Sequence, residues 1–93
     1  MHRELIRSNA LIRKLRRHLK KQPGAIGEVE AALTLLSEDT FDPRLKTHKL
    51  TGDLEGVWAC SAGYDLRILF EFVQQEEAEA ILLLTIGTHD EVY

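Results

Sequence analysis

Cysteine is almost missing from this sequence: Cys60 stands alone among 93 residues. That excludes an intramolecular disulfide framework and points to a reducing compartment, the cytoplasm. Proline occurs twice, and neither an internal repeat nor a low-complexity segment is present. The longest uninterrupted apolar run, Ala80–Leu84, is five residues, far below the ~18 needed to cross a bilayer. The basic N-terminal stretch lacks the continuous apolar centre of a secretory signal. No Gly-rich phosphate loop, paired-cysteine zinc spacing or nucleophile-elbow serine occurs, and His2, His18, His48 and His89 are too dispersed to be read as a metal site.

What is present is enough for one small domain spanning residues 1–93. The chain is 44% hydrophobic and 29% charged, a balance that belongs to a folded domain rather than a disordered segment. A chain of this length buries only about 60–65% of its unfolded surface, so a tight partner would add much to its working stability.

Charge is distributed unevenly. The net charge is −3, yet residues 1–50 hold eleven of the twelve Lys and Arg against six acids, while residues 51–93 hold Arg67 against nine acids. Two oppositely charged solvated faces satisfy this pattern, and so does a basic patch for nucleic acid or an acidic peptide.

The periodicities predict two helices followed by a sheet. Ser8 or Asn9 caps a first helix in which Leu11, Ile12, Leu15 and Leu19 form one face, with Arg13, Lys14, Arg16, Arg17, Lys20 and Lys21 outside it. Pro23-Gly24 ends it, and a second helix runs from about Ala25 to Ser37 on Ile26, Val29, Leu33 and Leu36. Residues 38–56 show neither period and read as a long connection. Val57–Ser61 and Leu66–Val73 read as a β-hairpin turning at Ala62-Gly63-Tyr64. Gln74–Glu79 reads as a polar turn, and Ala80–Ile86 as a central strand buried on both faces. In the second strand Leu66, Ile68, Phe70 and Phe72 alternate with Asp65, Arg67, Leu69 and Glu71, which gives one face to the core and leaves a partly polar one.

The residues that could carry chemistry are scattered: His48 and Lys49 in the connection, Ser61, Asp65 and Arg67 in the hairpin, His89 and Tyr93 at the C-terminal end. Trp58 and Cys60 read as core residues.

Three segments together, Leu45–Cys60 with its His-x-Leu-x-Gly-x-x-x-Gly, Tyr64–Phe70 with its Asp-x-Arg-Ile, and Ile86–Tyr93 with its Gly-Thr-His and terminal aromatic, resemble the RelE/ParE superfamily of bacterial type II toxins, nearest its YafQ-like branch. The resemblance implies an α+β fold, βααβββ in order, with an N-terminal αα-hairpin packed on a small curved, mostly antiparallel sheet and a first strand at about Arg3–Ile6. It further implies a cytoplasmic endoribonuclease that cleaves mRNA on the ribosome through the substrate's own 2′-OH, with no metal or other cofactor. Its protein partner would be a cognate antitoxin in a hetero-oligomer, its tail lying across the sheet and the basic helix.

Carried over to this chain, the catalytic set is His48, Asp65, Arg67, His89 and Tyr93, with Lys46, Lys49 and Ser61 as substrate-binding residues. His89 is the expected general acid, Asp65 or His48 the base, Arg67 the phosphate stabiliser and Tyr93 an orienting or stacking group. Ser61 and Leu66 stand where YafQ-like toxins often have a histidine and an aromatic. Two other readings stay open: a catalytically weakened relative that acts by binding its antitoxin, and a ParE-like gyrase inhibitor.

Overall fold

The computed structural model describes residues 2–93. Strand β1 (Leu5–Arg7) leads into helix α1 (Asn9–Lys21), and a 3₁₀ turn at Pro23–Ala25 leads into helix α2 (Ile26–Glu38). Strands β2 (His48–Lys49), β3 (Trp58–Ala62), β4 (Leu66–Gln75) and β5 (Ala78–Thr88) follow, and a single helical turn, α3 (His89–Val92), comes last. The sheet order is β1-β5-β4-β3-β2, with β1 parallel to β5 and every other pair antiparallel.

Helices α1 and α2 lie on one face of the sheet, α1 along β5 and α2 along β3. Between helices and sheet lies the core, in which Leu11, Val29 and Leu36 meet Cys60, Ile68, Phe70, Ile81, Leu83 and Ile86. Burial of this apolar surface is the main stabilising term, at about 25 cal/mol per Å². Phe70, fully buried at the middle of the central strand, is the largest side chain in it.

One irregularity in β5 sets the geometry of everything after it. Leu69 pairs with Thr85 but Phe70 pairs with Leu83, so Leu84 is an extra residue, a β-bulge. Side chains alternate along a strand, and one inserted residue reverses their parity. Ile81 and Leu83 therefore face the helices on one side of the bulge, and Ile86 faces them on the other. The carbonyl of Leu84 accepts from the Ser8 hydroxyl at 3.0 Å, and the carbonyl of Leu83 accepts from the Ser8 amide. Ser8 also caps α1 by accepting from the Leu11 amide at 3.1 Å.

The N-terminal segment is tied to the end of α2. The Arg3 amide donates to the Ser37 carbonyl, the Ser37 hydroxyl donates to the Arg3 carbonyl at 2.6 Å, and Arg3 Nη1 donates to Thr40 Oγ1. These contacts hold buried Ser37 and Thr40 with partners, as burial of a hydroxyl requires.

The expected fold class holds, and some boundaries move. The first strand is Leu5–Arg7 rather than Arg3–Ile6, because Arg3 is drawn to α2 instead of the sheet. The β4–β5 hairpin continues through exposed residues to a turn at Glu76-Glu77, so the polar stretch Gln74–Glu79 is mostly paired strand. Backbone ladders form there without an apolar face, which removes the periodic signal. The middle of the sheet is β4; β5 lies between it and β1, with Leu82 and Leu84 half-buried. Within the 38–56 connection a two-residue strand, β2, had no pattern long enough to read. Trp58 is half-buried and packs edge-on against Phe41 and Phe72.

Replacing Phe70 with Ala should cost about 3–5 kcal/mol of stability in urea unfolding, whereas Tyr64→Ala, at a side chain 97% exposed, should change it by no more than about 0.5 kcal/mol. Cys60 is wholly buried and its thiol is pushed up to about 12 by burial, against a small opposing effect of Arg67. A thiol-specific reagent at pH 8 should label it only as fast as the protein unfolds.

Candidate active site

The face of the sheet away from the helices carries the polar alternation of β4. Arg67 sits there between Ser61 on β3 and Gly87 on β5. Its guanidinium Nη1 donates to the Leu66 carbonyl at 3.0 Å and, at a longer 3.4 Å, to the Tyr64 carbonyl in the β3–β4 turn. Half-buried and multiply bonded, Arg67 is an oriented cation rather than a loose surface one.

Helix α3 folds back over Gly87. A Cβ on Gly87 would lie 3.1 Å from Glu91 Cβ and 3.2 Å from Val92 Cγ1, so α3 packs closely on this position and a side chain there would have to push Glu91 and Val92 aside by a few tenths of an ångström. Thr88 and Glu91 form a capping box in which the Thr88 amide donates to Glu91 Oε1 at 2.8 Å. Those bonds to Thr88, amide first, hold the Glu91 carboxyl below its ordinary value, with help from the nearby charges of His18 and Lys21. The single turn presents His89 and Tyr93, four residues apart, on one side, with ring centroids 4.6 Å apart in an edge-to-face arrangement. His89 Nδ1 is 3.5 Å from Asp90 Oδ1, a carboxylate available to a protonated imidazole. Partial burial pushes the Tyr93 phenol up, while the Arg67 charge beside it pulls the other way. The phenol therefore stays protonated near neutral pH, and Arg67, His89 and Tyr93 form one group at this end of the sheet.

His48 lies on the same face but farther off. It pairs with Ala59 in β3, which shares its face with Ser61, and this puts it two strands and two residues from Arg67, roughly 12 Å between Cα atoms. Its ring is fixed by a 2.8 Å hydrogen bond from Nδ1 to the Lys46 carbonyl. A carbonyl only accepts, so Nδ1 carries a proton and the neutral ring leaves Nε2 as an acceptor. Lys46 reaches this arrangement in the left-handed region, at φ 52°.

The remaining expected residues separate. Asp65, in the exposed Gly63–Asp65 turn, borders a hollow of about 260 Å³ shared with His18 and Thr88 on the helix side. Ser61 is half-buried beside Arg67. Lys49 projects to the helix face, its Nζ 5.5 Å from the centroid of the Trp58 ring, away from His48. Lys46 is exposed next to His48. Leu66 is part of the core and offers no surface to a ligand. On the site face Thr85, opposite Leu69, has a buried Oγ1 without a hydrogen-bond partner among the described residues.

Three positions that build the site escape a search for reactive residues: Gly87, Thr88 and Glu91. The last two were legible as Thr-x-x-Glu, the sequence form of a capping box. Among the described residues no group of three or more His, Cys, Asp or Glu side chains is arranged to hold a metal ion.

Residues 3–93 match the family model described as the bacterial toxin of type II toxin-antitoxin systems, YafQ. This chain belongs to the YafQ family. The family match spans nearly the whole chain, and it agrees with the resemblance carried by the three motif segments. Solved YafQ-family and related toxins have the same fold. YafQ from Escherichia coli strain BL21(DE3) superposes with a TM-score of 0.78 at 15% identity, over 98% of each chain. The E. coli DinJ–YafQ toxin-antitoxin complex contains a chain matching at 0.76 and 17% identity, over 100% of this chain and 99% of that one. A YoeB/ParE toxin from Agrobacterium tumefaciens matches at 0.75 and 12% identity, over 92% of this chain and 98% of that one. No curated protein matches the chain in sequence. As a YafQ-family member the chain is a toxin of a type II toxin-antitoxin system.

The capping box makes α3 of this YafQ-family toxin sensitive to acid. A carboxyl with a lowered folded value contributes stability above its ordinary value of 4.5 and loses that contribution as the pH falls through the folded value. The Thr88 amide resonance should shift, and α3 should fray, as pH is lowered from 6 to 3. Glu91→Gln, which can still accept from the Thr88 amide, should keep α3 without that titration, and Glu91→Ala should fray it at every pH.

Proposed function

We propose that this YafQ-family toxin is an endoribonuclease that cleaves mRNA on the ribosome, using the 2′-OH beside the scissile phosphate as nucleophile. The observation that carries the reading is the packing of His89 and Tyr93 on one helical turn beside the oriented guanidinium of Arg67. Cleavage of this kind needs a base to take the 2′-OH proton, an acid to protonate the departing 5′-oxygen, and positive charge for the crowded phosphorane.

His89 is the acid, its ring fixed edge-on against Tyr93 and its Nδ1 3.5 Å from Asp90 Oδ1. Of the two candidates for base, His48 is better supported than Asp65. Its Nε2 is left as an acceptor on the same face as Arg67, whereas Asp65 borders the hollow on the helix side. The 2′-OH proton passes to His48 Nε2, the 2′-oxygen bonds to phosphorus, and the P–O5′ bond breaks as His89 delivers its proton. The products are a 2′,3′-cyclic phosphate and a free 5′-hydroxyl. Arg67 exchanges one of its carbonyl contacts for a phosphate oxygen, and the longer bond to the Tyr64 carbonyl at 3.4 Å is the weaker one to give up. Tyr93, a neutral phenol ring over His89, orients the imidazole and stacks on a base.

An antitoxin partner follows from membership in a type II system. E. coli YafQ has been crystallised with its antitoxin DinJ, and we propose a corresponding hetero-complex for this chain, in the cytoplasm. The buried Leu66 and the small Ser61 favour a second reading, a slower relative whose main role is antitoxin binding, since neither supplies the group expected there.

Mapping of mRNA 5′ ends in a translating extract separates the two. Wild-type protein should produce cuts within codons that require ribosomes. His89→Ala and His48→Gln should each lower the rate by roughly 10²–10⁴-fold, the usual contribution of a general acid or base, and Asp65→Asn should lower it far less. No cleavage by folded, antitoxin-free wild type would leave the binding role.

A further inference from the structure

Helix α1 contains Arg13, Lys14, Arg16, Arg17, Lys20 and Lys21 and not one acid. All six are exposed. At about 100° per residue they fall within a single arc of roughly 160°, opposite the apolar face of Leu11, Leu15 and Leu19. Arg13, Arg17 and Lys21 succeed one another along the axis in steps of about 6 Å. Among the described residues none of the six is held in an ion pair; the pairs Arg3–Glu79, Arg44–Asp42 and His89–Asp90 lie elsewhere. At its C-terminal end the stripe meets α3, where Lys14, Arg17, His18 and Lys21 line a cleft of about 60 Å³ with Gly87 and Glu91. The cations thus continue to the element that presents His89 and Tyr93.

We propose that this face of α1 is an anchor for the RNA backbone, holding phosphates beside the segment that enters the active site. The inference rests on the endoribonuclease reading for its purpose, but the anchor is separate from the residues assigned to cleavage. RNA fits the stripe better than an acidic peptide does. Protein docking concentrates its energy in apolar and aromatic anchors, and the exposed large hydrophobic residues, Ile26, Phe41, Tyr64 and Tyr93, all lie off α1. A polyanion needs only dense positive charge, which releases its counterions, and three of the six are arginines, whose forked donors match phosphate. Residues 51–93 carry a net −8, so most of the remaining surface repels RNA and restricts it to this track. The acid in the cleft, Glu91, is turned to the Thr88 amide.

The test uses Arg13→Gln, Arg16→Gln and Lys20→Gln together, positions outside the α3 cleft, with helix content checked by circular dichroism. The probe is a fluorescent 20-nucleotide RNA, 2′-O-methylated throughout so that it cannot be cut, titrated between 50 and 200 mM salt. With a slope of about −0.7 per neutralised phosphate on a single strand, losing three cations should reduce the slope by about 2. Over this salt range the wild type should then lose about 20-fold more affinity than the triple variant does. Arg44→Gln, which removes a cation off α1 that is already paired with Asp42, should keep the wild-type slope. A triple variant that binds this RNA with wild-type affinity and slope overturns the anchor, even if mRNA cleavage by the wild type is confirmed. Loss of binding to a poly-glutamate peptide with RNA binding intact overturns it too, in favour of a protein partner. The expected slope change, found in a protein that cuts no mRNA, upholds the anchor and removes only the cleavage reading.

Discussion

The one-residue shift between β4 and β5 at Leu84 governs which side of the sheet everything beyond it occupies. With an unbroken register Ile86 would turn out of the core and Gly87 would turn into it. Helix α3 would then leave the strand on the wrong side to bring Tyr93 near Arg67. The bulge costs one ladder position, and Ser8 takes up the carbonyl that it strands. The same hydroxyl starts α1, so the entry of the basic helix and the path of β5 into α3 depend on one side chain.

Much of the fold was legible because it was periodic. Leu11, Leu15 and Leu19 mark the inner face of α1 and Ser8 marks its start; Leu66, Ile68 and Phe70 mark the inner face of β4. What could not be read was short or was set by tertiary contacts. β2 is two residues long and α3 four, below any repeat length. The bulge is hidden inside Ile81–Leu84, where consecutive apolar residues look like burial on both faces. At the site, the residue types came from motif resemblance rather than from periodicity, and only geometry distinguishes among them. Lys49 and His48 are neighbours in sequence, yet strand alternation sends them to opposite faces.

Charge is organised at the level of elements. Lys and Arg are concentrated on α1 and acids on the sheet half, and few of these charges pair within the molecule. Exposed pairs contribute little to stability, so the separation costs the fold little and leaves a strong field at the surface. At the C-terminal end of α1 an acid does approach the basic helix, where Glu91 on α3 feels the charges of His18 and Lys21.

Both outer strands of the sheet are brief. β1 has three residues and β2 has two, while the ten- and eleven-residue strands β4 and β5 have neighbours on both sides along at least part of their length. Each outer strand also carries a cation, Arg7 or Lys49. Long, flat outer strands invite a second molecule to continue the hydrogen-bond ladder, and brevity and like charge discourage it. Two copies of this chain meeting edge to edge would gain only a few backbone bonds while bringing their cations together, so the fold itself guards against fibrous self-association.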